Sequence, residues 1–163
     1  VIAARLEELR LSLPQVPQPV GAYRAAVIRG GIGMVSGQFP LRAGRLVWQG
    51  AIGAELSPQE GAEAARLAAL NVLAQIDAAL VPLGGWTSFA GLLRLDGHVA
   101  SAPSFTDQPQ ILNAASELLV AVLGEALGSH SRTAFAPRQL PLGSPIELAM
   151  TFAVYEMPPK VAT

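Results

Sequence analysis

A capping box with proline at the first helical position, Ser57-Pro58-Gln59-Glu60, opens the clearest local signal in the chain. Behind it, Ala64, Leu67, Ala68, Asn71, Val72, Gln75 and Ile76 recur at helical spacing until Pro82 and Gly84-Gly85 stop the pattern. The spacing predicts a long amphipathic helix over residues 61–80. One face of it is rich in alanine, which lets a helix axis lie close to whatever it covers. Such a helix needs a sheet to cover, and the rest of the chain supplies candidate strands on both sides of it.

Residues 25–29 and 32–38 flank Gly30-Gly31, a hairpin turn signal. Residues 45–49 follow a second turn at Ala43-Gly44 and are expected to extend the same sheet. Beyond the helix, 89–101 reads as a strand interrupted at Gly97. A second helix is expected to start at 107–110 and to run over 111–127, closed by Gly128 as its cap. Strands over 132–136 and 146–155 end the domain, joined by the turn-rich stretch 137–145. Strands, helix, strand, helix and strands in one short chain predict a two-layer α+β domain with both helices on one face of the sheet. Residues 2–11 also have helical spacing, and Pro14, Pro17 and Pro19 end that helix and keep the chain extended. The division is therefore 1–18 as helix and proline-rich lead-in, 19–157 as the domain, and 158–163 as a tail in which Pro158-Pro159 is expected to fray.

The 163 residues suit one domain. Charged residues are only 14% of the chain, below the roughly 25% usual for soluble domains. That shortage fits surface hidden between subunits, and equally an alanine-rich composition. The net charge is −1 with no run of Lys or Arg, so nucleic acid is an unfavoured partner. Without cysteine there is no disulfide, thiolate metal site or cysteine nucleophile. His98 and His130 are the two histidines, and neither has acidic neighbours at metal-ligand spacing, so no metal is expected. No run of about 20 apolar residues suggests a membrane span. Arg5, Glu7, Glu8 and Arg10 disqualify the opening segment as a signal peptide. A soluble, cytoplasmic protein is the expectation.

Several residues could carry chemistry. Arg132 shares a strand face with Ala134 and Ala136, while Thr133 and Phe135 take the other. A guanidinium among small neighbours can grip a carboxylate through paired hydrogen bonds. Glu147 begins the last strand beside Ala149 and Thr151 on its own face, and a carboxylate withdrawn from water can accept a proton near neutrality. In Ser36-Gly37-Gln38-Phe39-Pro40 a glycine at a strand end allows close approach of a ligand or another backbone. Ser36 has no nucleophile elbow or adjacent base and is read as a hydrogen-bond donor. Tyr23 and Asn113 are further candidates. Each pattern taken alone also describes an ordinary surface arginine, strand glutamate or bulge glycine.

Taken in order, these pieces resemble the Rid family of small trimeric deaminases, also called the YjgF or L-PSP family. Its recurring elements stand here as Gly21-Ala22-Tyr23, Ser36-Gly37-Gln38-Phe39-Pro40, Asn113, Arg132, Leu140-Pro141 and Ile146-Glu147. The interval from Arg132 to Glu147 is similar to that of deaminating members, and residues 19–155 are covered. The segment from Gln139 to Glu147 resembles a longer branch that also has the N-terminal helix.

The resemblance implies a chorismate-mutase-like fold, a homotrimer, and sites in the clefts between subunits. It implies hydrolysis of reactive 2-imino acids of the 2-aminoacrylate type to 2-oxo acids and ammonia, with no cofactor. Arg132 would bind the substrate carboxylate and Glu147 would deprotonate the attacking water. Tyr23, Ser36, Asn113 and Thr133 would line the pocket, with the Gly37 backbone N–H assisting. Arg132 and Glu147 are expected to open into one cleft. Two departures stand out: Ala134 occupies a position where many members have cysteine, and Gly-Pro-Tyr has become Gly21-Ala22-Tyr23. Competing expectations are a trimer that only binds small carboxylates and, less favoured by the charge balance, an endoribonuclease or translation inhibitor.

Overall fold

A computed structural model describes residues 2–19 and 21–155; the proline pair of the tail lies outside the described residues. The elements in chain order are α1 (Ile2–Glu8), β1 (Ala26–Arg29), β2 (Ile32–Gln38), β3 (Leu41–Arg42), β4 (Arg45–Leu46) and α2 (Pro58–Leu80). They continue with β5 (Phe89–Val99), α3 (Gln108–Leu123), α4 (Glu125–Gly128), β6 (Ser131–Phe135) and β7 (Ile146–Val154). The main sheet has five strands in the order β1-β2-β7-β5-β6. Every pairing in it is antiparallel except β5 with β6, which are parallel. A parallel pair needs a crossover, and α3 supplies it.

Local chemistry explains most of these elements. The Ser57 side chain accepts the Glu60 N–H while the Glu60 carboxylate accepts the Ser57 N–H, so α2 starts with both ends of its capping box closed. Gly30 and Gly31 both have positive φ, 53° and 77°, the primed turn that matches the twist of a two-residue hairpin. Alternate residues of β7 face the helices: Ile146, Leu148, Met150 and Phe152 are buried, against Leu73, Ile76, Leu112 and Leu119 of α2 and α3. Burying each such side chain contributes about 1.5–3 kcal/mol. Ala64, Ala65, Ala68 and Ala69 are fully buried along α2 and let the helix sit close to the sheet. Ile2 and Leu6 extend the same core from α1, and the Arg5 Nε donates to the Ala121 carbonyl of α3 (2.8 Å). α2 with its C-terminal extension is apolar and long enough to cross a bilayer, and 67% of its apolar window is instead buried inside the domain.

Four expectations change. The first helix ends at Glu8, because Arg10 turns left-handed (φ 55°) and the Leu11 N–H bonds back to the Leu6 carbonyl. The segment after Ala43-Gly44 does not extend the main sheet. Both turn residues have positive φ, 50° and 75°, and fold β4 back onto β3 as a separate two-stranded hairpin. The β5 ladder runs straight through Gly97, which pairs with both Leu148 and Ala134. The glycine is needed for packing: a Cβ there would run into the Leu112 side chain of α3. The second helix stops at Leu123, since Gly124 (φ 79°) ends it and a separate single turn, α4, follows.

Candidate active site

β6 is one of the two sheet edges, and Arg132 sits on it opposite Leu95 of β5, a core residue facing the helices. Its side chain follows that direction onto α3. Nη1 donates to Ser116 Oγ (3.0 Å), and Nη2 donates to Asn113 Oδ1 (3.0 Å) and the Pro109 carbonyl (3.1 Å). Asn113 is in turn held by donating to Gln110 Oε1 (3.0 Å). His130 continues the chain of contacts. Its Nδ1 lies 2.7 Å from the Gly128 carbonyl and must carry the proton there, leaving Nε2 to accept from Ser116 Oγ at 3.0 Å. Ser116 therefore accepts from Arg132 and donates to His130, so the guanidinium is fixed from two residues away. All of its acceptors are neutral, and among the described residues it pairs with no carboxylate. Partial burial lowers the Arg132 pKa from its ordinary value. The group remains a cation, desolvated and without a counter-charge.

Glu147 lies on the opposite face. It alternates with the core residues Ile146 and Leu148, and it pairs across the ladder with His98 of β5. Burial pushes its carboxyl pKa up, partly offset by the charge of His98. Gly37 explains where the carboxylate fits: a Cβ at Gly37 would stand 2.6 Å from the Glu147 Cδ. Gly37 and Ser36 form a β-bulge, because the β2–β7 register slips between Val35 and Gln38. Buried Gln38 pins this bulge by donating from Nε2 to the Ser36 carbonyl (3.0 Å) and more weakly to Ser36 Oγ (3.4 Å). Gln75 of α2 reaches Gln38 Oε1 (3.4 Å) and the Pro17 carbonyl (2.7 Å), tying the lead-in segment to the same spot. Tyr23, 46% exposed, shares a small crevice with Ser36 and Gly37. Thr133 is on the Glu147 face as well, where it donates to Asp96 Oδ1 (2.6 Å).

The sequence-nominated residues thus gather in two places. Asn113 and Arg132 form one cluster at the helix-side edge of the sheet. Glu147, Gly37, Ser36 and Tyr23 lie about the exposed face and the β2 bulge, with Thr133 on that same face. The expectation of one cleft holding Arg132 and Glu147 is not met within a single chain, because the strand parity that sends Arg132 toward α3 sends Glu147 away from it. Sequence reasoning missed Ser116 and His130, whose contacts with Arg132 depend on a helix–strand approach that spacing alone does not reveal. It also passed over His98 and Gln38. A larger concavity of about 490 Å³ lies elsewhere, among Leu9, Leu11, Trp48, Leu67, Leu70 and Leu118, and none of the nominated residues lines it.

Residues 3–155 match the family described as "YjgF/chorismate mutase-like, putative endoribonuclease". The protein TCP17 of Trypanosoma cruzi is 38% identical over 147 residues, covering 90% of each chain. The crystal structure of a Shewanella oneidensis MR-1 protein is 35% identical over 94% of this chain and 99% of that one, with a TM-score of 0.87. The YjgF gene product of Escherichia coli is 20% identical over 87% of this chain and 97% of its own, and its TM-score of 0.60 shows the shared fold. A mixed five-stranded sheet backed by two helices, with Arg132 and Glu147 on its two sides, belongs to a member of the YjgF/Rid family.

Proposed function

We propose that this protein is a cytoplasmic homotrimer that hydrolyses reactive 2-imino acids to 2-oxo acids and ammonia. Each site would combine the Arg132 cluster of one subunit with the Glu147 face of the next. The carrying observation is the uncompensated, three-point-held guanidinium of Arg132, a cation arranged for an anionic ligand. Its separation from Glu147 by the sheet favours a second chain as the supplier of the other half. Val27, Ile32, Met34 and Phe135 leave an apolar surface on the Glu147 face, with Met34 56% exposed, and such a surface calls for a covering subunit.

The chemistry asks little of the protein. With the substrate carboxylate on Arg132, the imine carbon is held against a water at Glu147. Glu147 takes a proton as water adds to the C=N bond, giving a tetrahedral carbinolamine. That proton returns to nitrogen, the hydroxyl proton of the carbinolamine follows it by way of Glu147, and ammonia leaves as the C–N bond breaks and the carbonyl forms. Water supplies the oxygen and nothing is oxidised. A carboxyl raised by burial suits this exchange near neutrality, and positioning supplies much of the remaining rate. Arg132 would serve equally in a trimer that only binds small carboxylates. The word endoribonuclease in the family description suits this chain poorly, since the net charge is −1 and no basic run could follow a phosphate backbone.

The deciding experiment generates 2-iminobutanoate or 2-iminopropanoate in situ and follows 2-oxo acid release with and without the protein. Accelerated release supports hydrolysis. Binding of a 2-oxo acid without acceleration leaves only the carboxylate-binding trimer.

A further inference from the structure

Ser116 Oγ stands at a junction that leaves its one proton a single place to go. Arg132 can only donate, so the 3.0 Å contact from Nη1 makes this oxygen an acceptor. His130 Nε2 lies 3.0 Å from the same oxygen and takes the hydroxyl proton. A serine inside a helix can turn its hydroxyl back to the carbonyl one turn before it; here the proton goes to His130 instead. That direction is set further along the chain. His130 Nδ1 is 2.7 Å from the Gly128 carbonyl, which can only accept, so the ring carries its proton on Nδ1 and offers Nε2 as an acceptor. Packing places that carbonyl in turn. Gly128 is buried at the end of α4, and its N–H donates to the Gly124 carbonyl (2.8 Å). A Cβ on Gly128 would stand 2.8 Å from the Val120 Cα and 2.9 Å from the Leu119 carbonyl oxygen, so glycine is what brings α4 this close to α3. Ser129 closes the turn by donating to Glu125 Oε1 (2.8 Å). The break at Gly124 and the single turn of α4 thus put a carbonyl where it selects one tautomer of His130.

We propose that Ser116 and His130 are positioning residues for Arg132: a one-way relay from guanidinium to hydroxyl to imidazole to the Gly128 carbonyl sets the pose in which Arg132 meets a ligand carboxylate. The proposal rests on the reading of Arg132 as the carboxylate binder; the relay itself stands on the hydrogen bonds. Asn113 and the Pro109 carbonyl hold only Nη2. Among the described residues Ser116 is the partner of Nη1. Were its proton not committed to His130, the hydroxyl could turn that proton toward a guanidinium, which accepts none. A long side chain loses rotamer freedom when a ligand immobilises it, and one already held in place avoids that cost. The relay therefore acts on affinity, and the chemical step at Glu147 is left to other groups.

The test titrates 2-oxobutanoate into the intact protein, Ser116→Ala, Ser116→Thr and His130→Phe, and measures imine hydrolysis on the same preparations. Kd should rise about 10-fold in Ser116→Ala and His130→Phe, the effect of one lost hydrogen bond to a charged group. Ser116→Thr keeps the hydroxyl and should restore binding. KM should rise with Kd while kcat stays within about twofold, the signature of lost binding without lost chemistry. In an Arg132→Ala background, Ser116→Ala should change nothing further, which a role in packing alone would not predict. Nitrogen NMR at about pH 8, where an imidazole is ordinarily neutral, should find the His130 proton on Nδ1. Wild-type affinity in folded Ser116→Ala, an equal loss in the Arg132→Ala background, or a proton on Nε2 overturns the proposal, as does an intact protein that binds no 2-oxobutanoate. Weakened binding in the variants with no turnover in any form leaves the relay standing and removes the hydrolysis reading instead.

Discussion

Arg132 and Glu147 lie on the two strands that flank β5, and they leave opposite faces of the sheet. Arg132 is level with Leu95, which points into the helical layer, and Glu147 with His98, which points away from it. A small substrate cannot touch a guanidinium laid on α3 and a carboxylate across the sheet from it in the same chain. In the proposed assembly, the edge strand of one copy, carrying Arg132, would meet the exposed face of another, carrying Glu147. Closed cyclic assembly would then make as many identical sites as there are subunits.

Subunit mixing tests this directly. Arg132→Ala and Glu147→Gln should each be close to inactive alone. If every site takes Arg132 from one subunit and Glu147 from its neighbour, co-refolding equal amounts should restore about a quarter of the sites by random assortment. Steady-state imine hydrolysis of the mixture reads the result. No recovery, with mixed oligomers demonstrated by mass, would mean that both groups act within one chain.

Replacing Arg132 by Ala should weaken binding of a 2-oxo acid by roughly 2–4 kcal/mol, the worth of a charge-assisted paired grip in a desolvated pocket. Lysine should rescue poorly: it is a point charge, and it cannot engage Ser116, Asn113 and the Pro109 carbonyl together while facing a carboxylate. Calorimetric titration of each variant checks this. Undiminished affinity in Arg132→Ala would place the carboxylate elsewhere.

Much of the fold was legible because its signals are local. The capping box at Ser57 and the paired glycines at 30–31 act within a few residues, and the structure keeps both. Gly97 misled for a physical reason: a glycine inside a strand suggests a break, but here it makes room for Leu112, a contact between elements that periodicity cannot report. The candidate site shows the same divide. Strand parity assigned Arg132 and Glu147 to their local faces, but the relation between two strands depends on register, and β5 lies between them. His98 was passed over because its neighbours, Phe135 and Glu147, come from strands far away in sequence.

Gly37→Ala separates function from folding. The added methyl would meet the end of the Glu147 side chain, a flexible group that can swing aside. The backbone at Gly37 does not require positive φ. Thermal stability should therefore change by less than about 1 kcal/mol, as for most substitutions away from a packed core. Turnover should fall on the order of 10-fold or more as the carboxylate leaves its place. Thermal melts and steady-state rates on the same preparation decide it. A stable variant with full activity would show that the position of Glu147 over Gly37 is irrelevant to the chemistry.

Glu147→Gln should trade activity for stability. The amide keeps the shape but cannot take a proton, so turnover should drop on the order of 10²-fold or more while 2-oxo acid binding at Arg132 is retained. Stability should move the other way, and the sign follows from the titration. Burial raises the folded carboxyl above its ordinary value of 4.5, so the folded state binds the proton more tightly than the unfolded chain does. Its contribution to stability is fully present below pH 4.5 and is lost as pH rises through the raised folded value. Glutamine never ionises and escapes that loss. Glu147→Gln should thus melt higher than the wild-type protein at neutral pH, with the gap narrowing as pH falls toward 4 on the scale set by the ordinary carboxyl value. Melting curves for both proteins across this range measure the gap. A gap that is absent at neutral pH, or that widens on acidification, would show that the carboxylate is not strained by burial and would remove the physical basis for its role as the base.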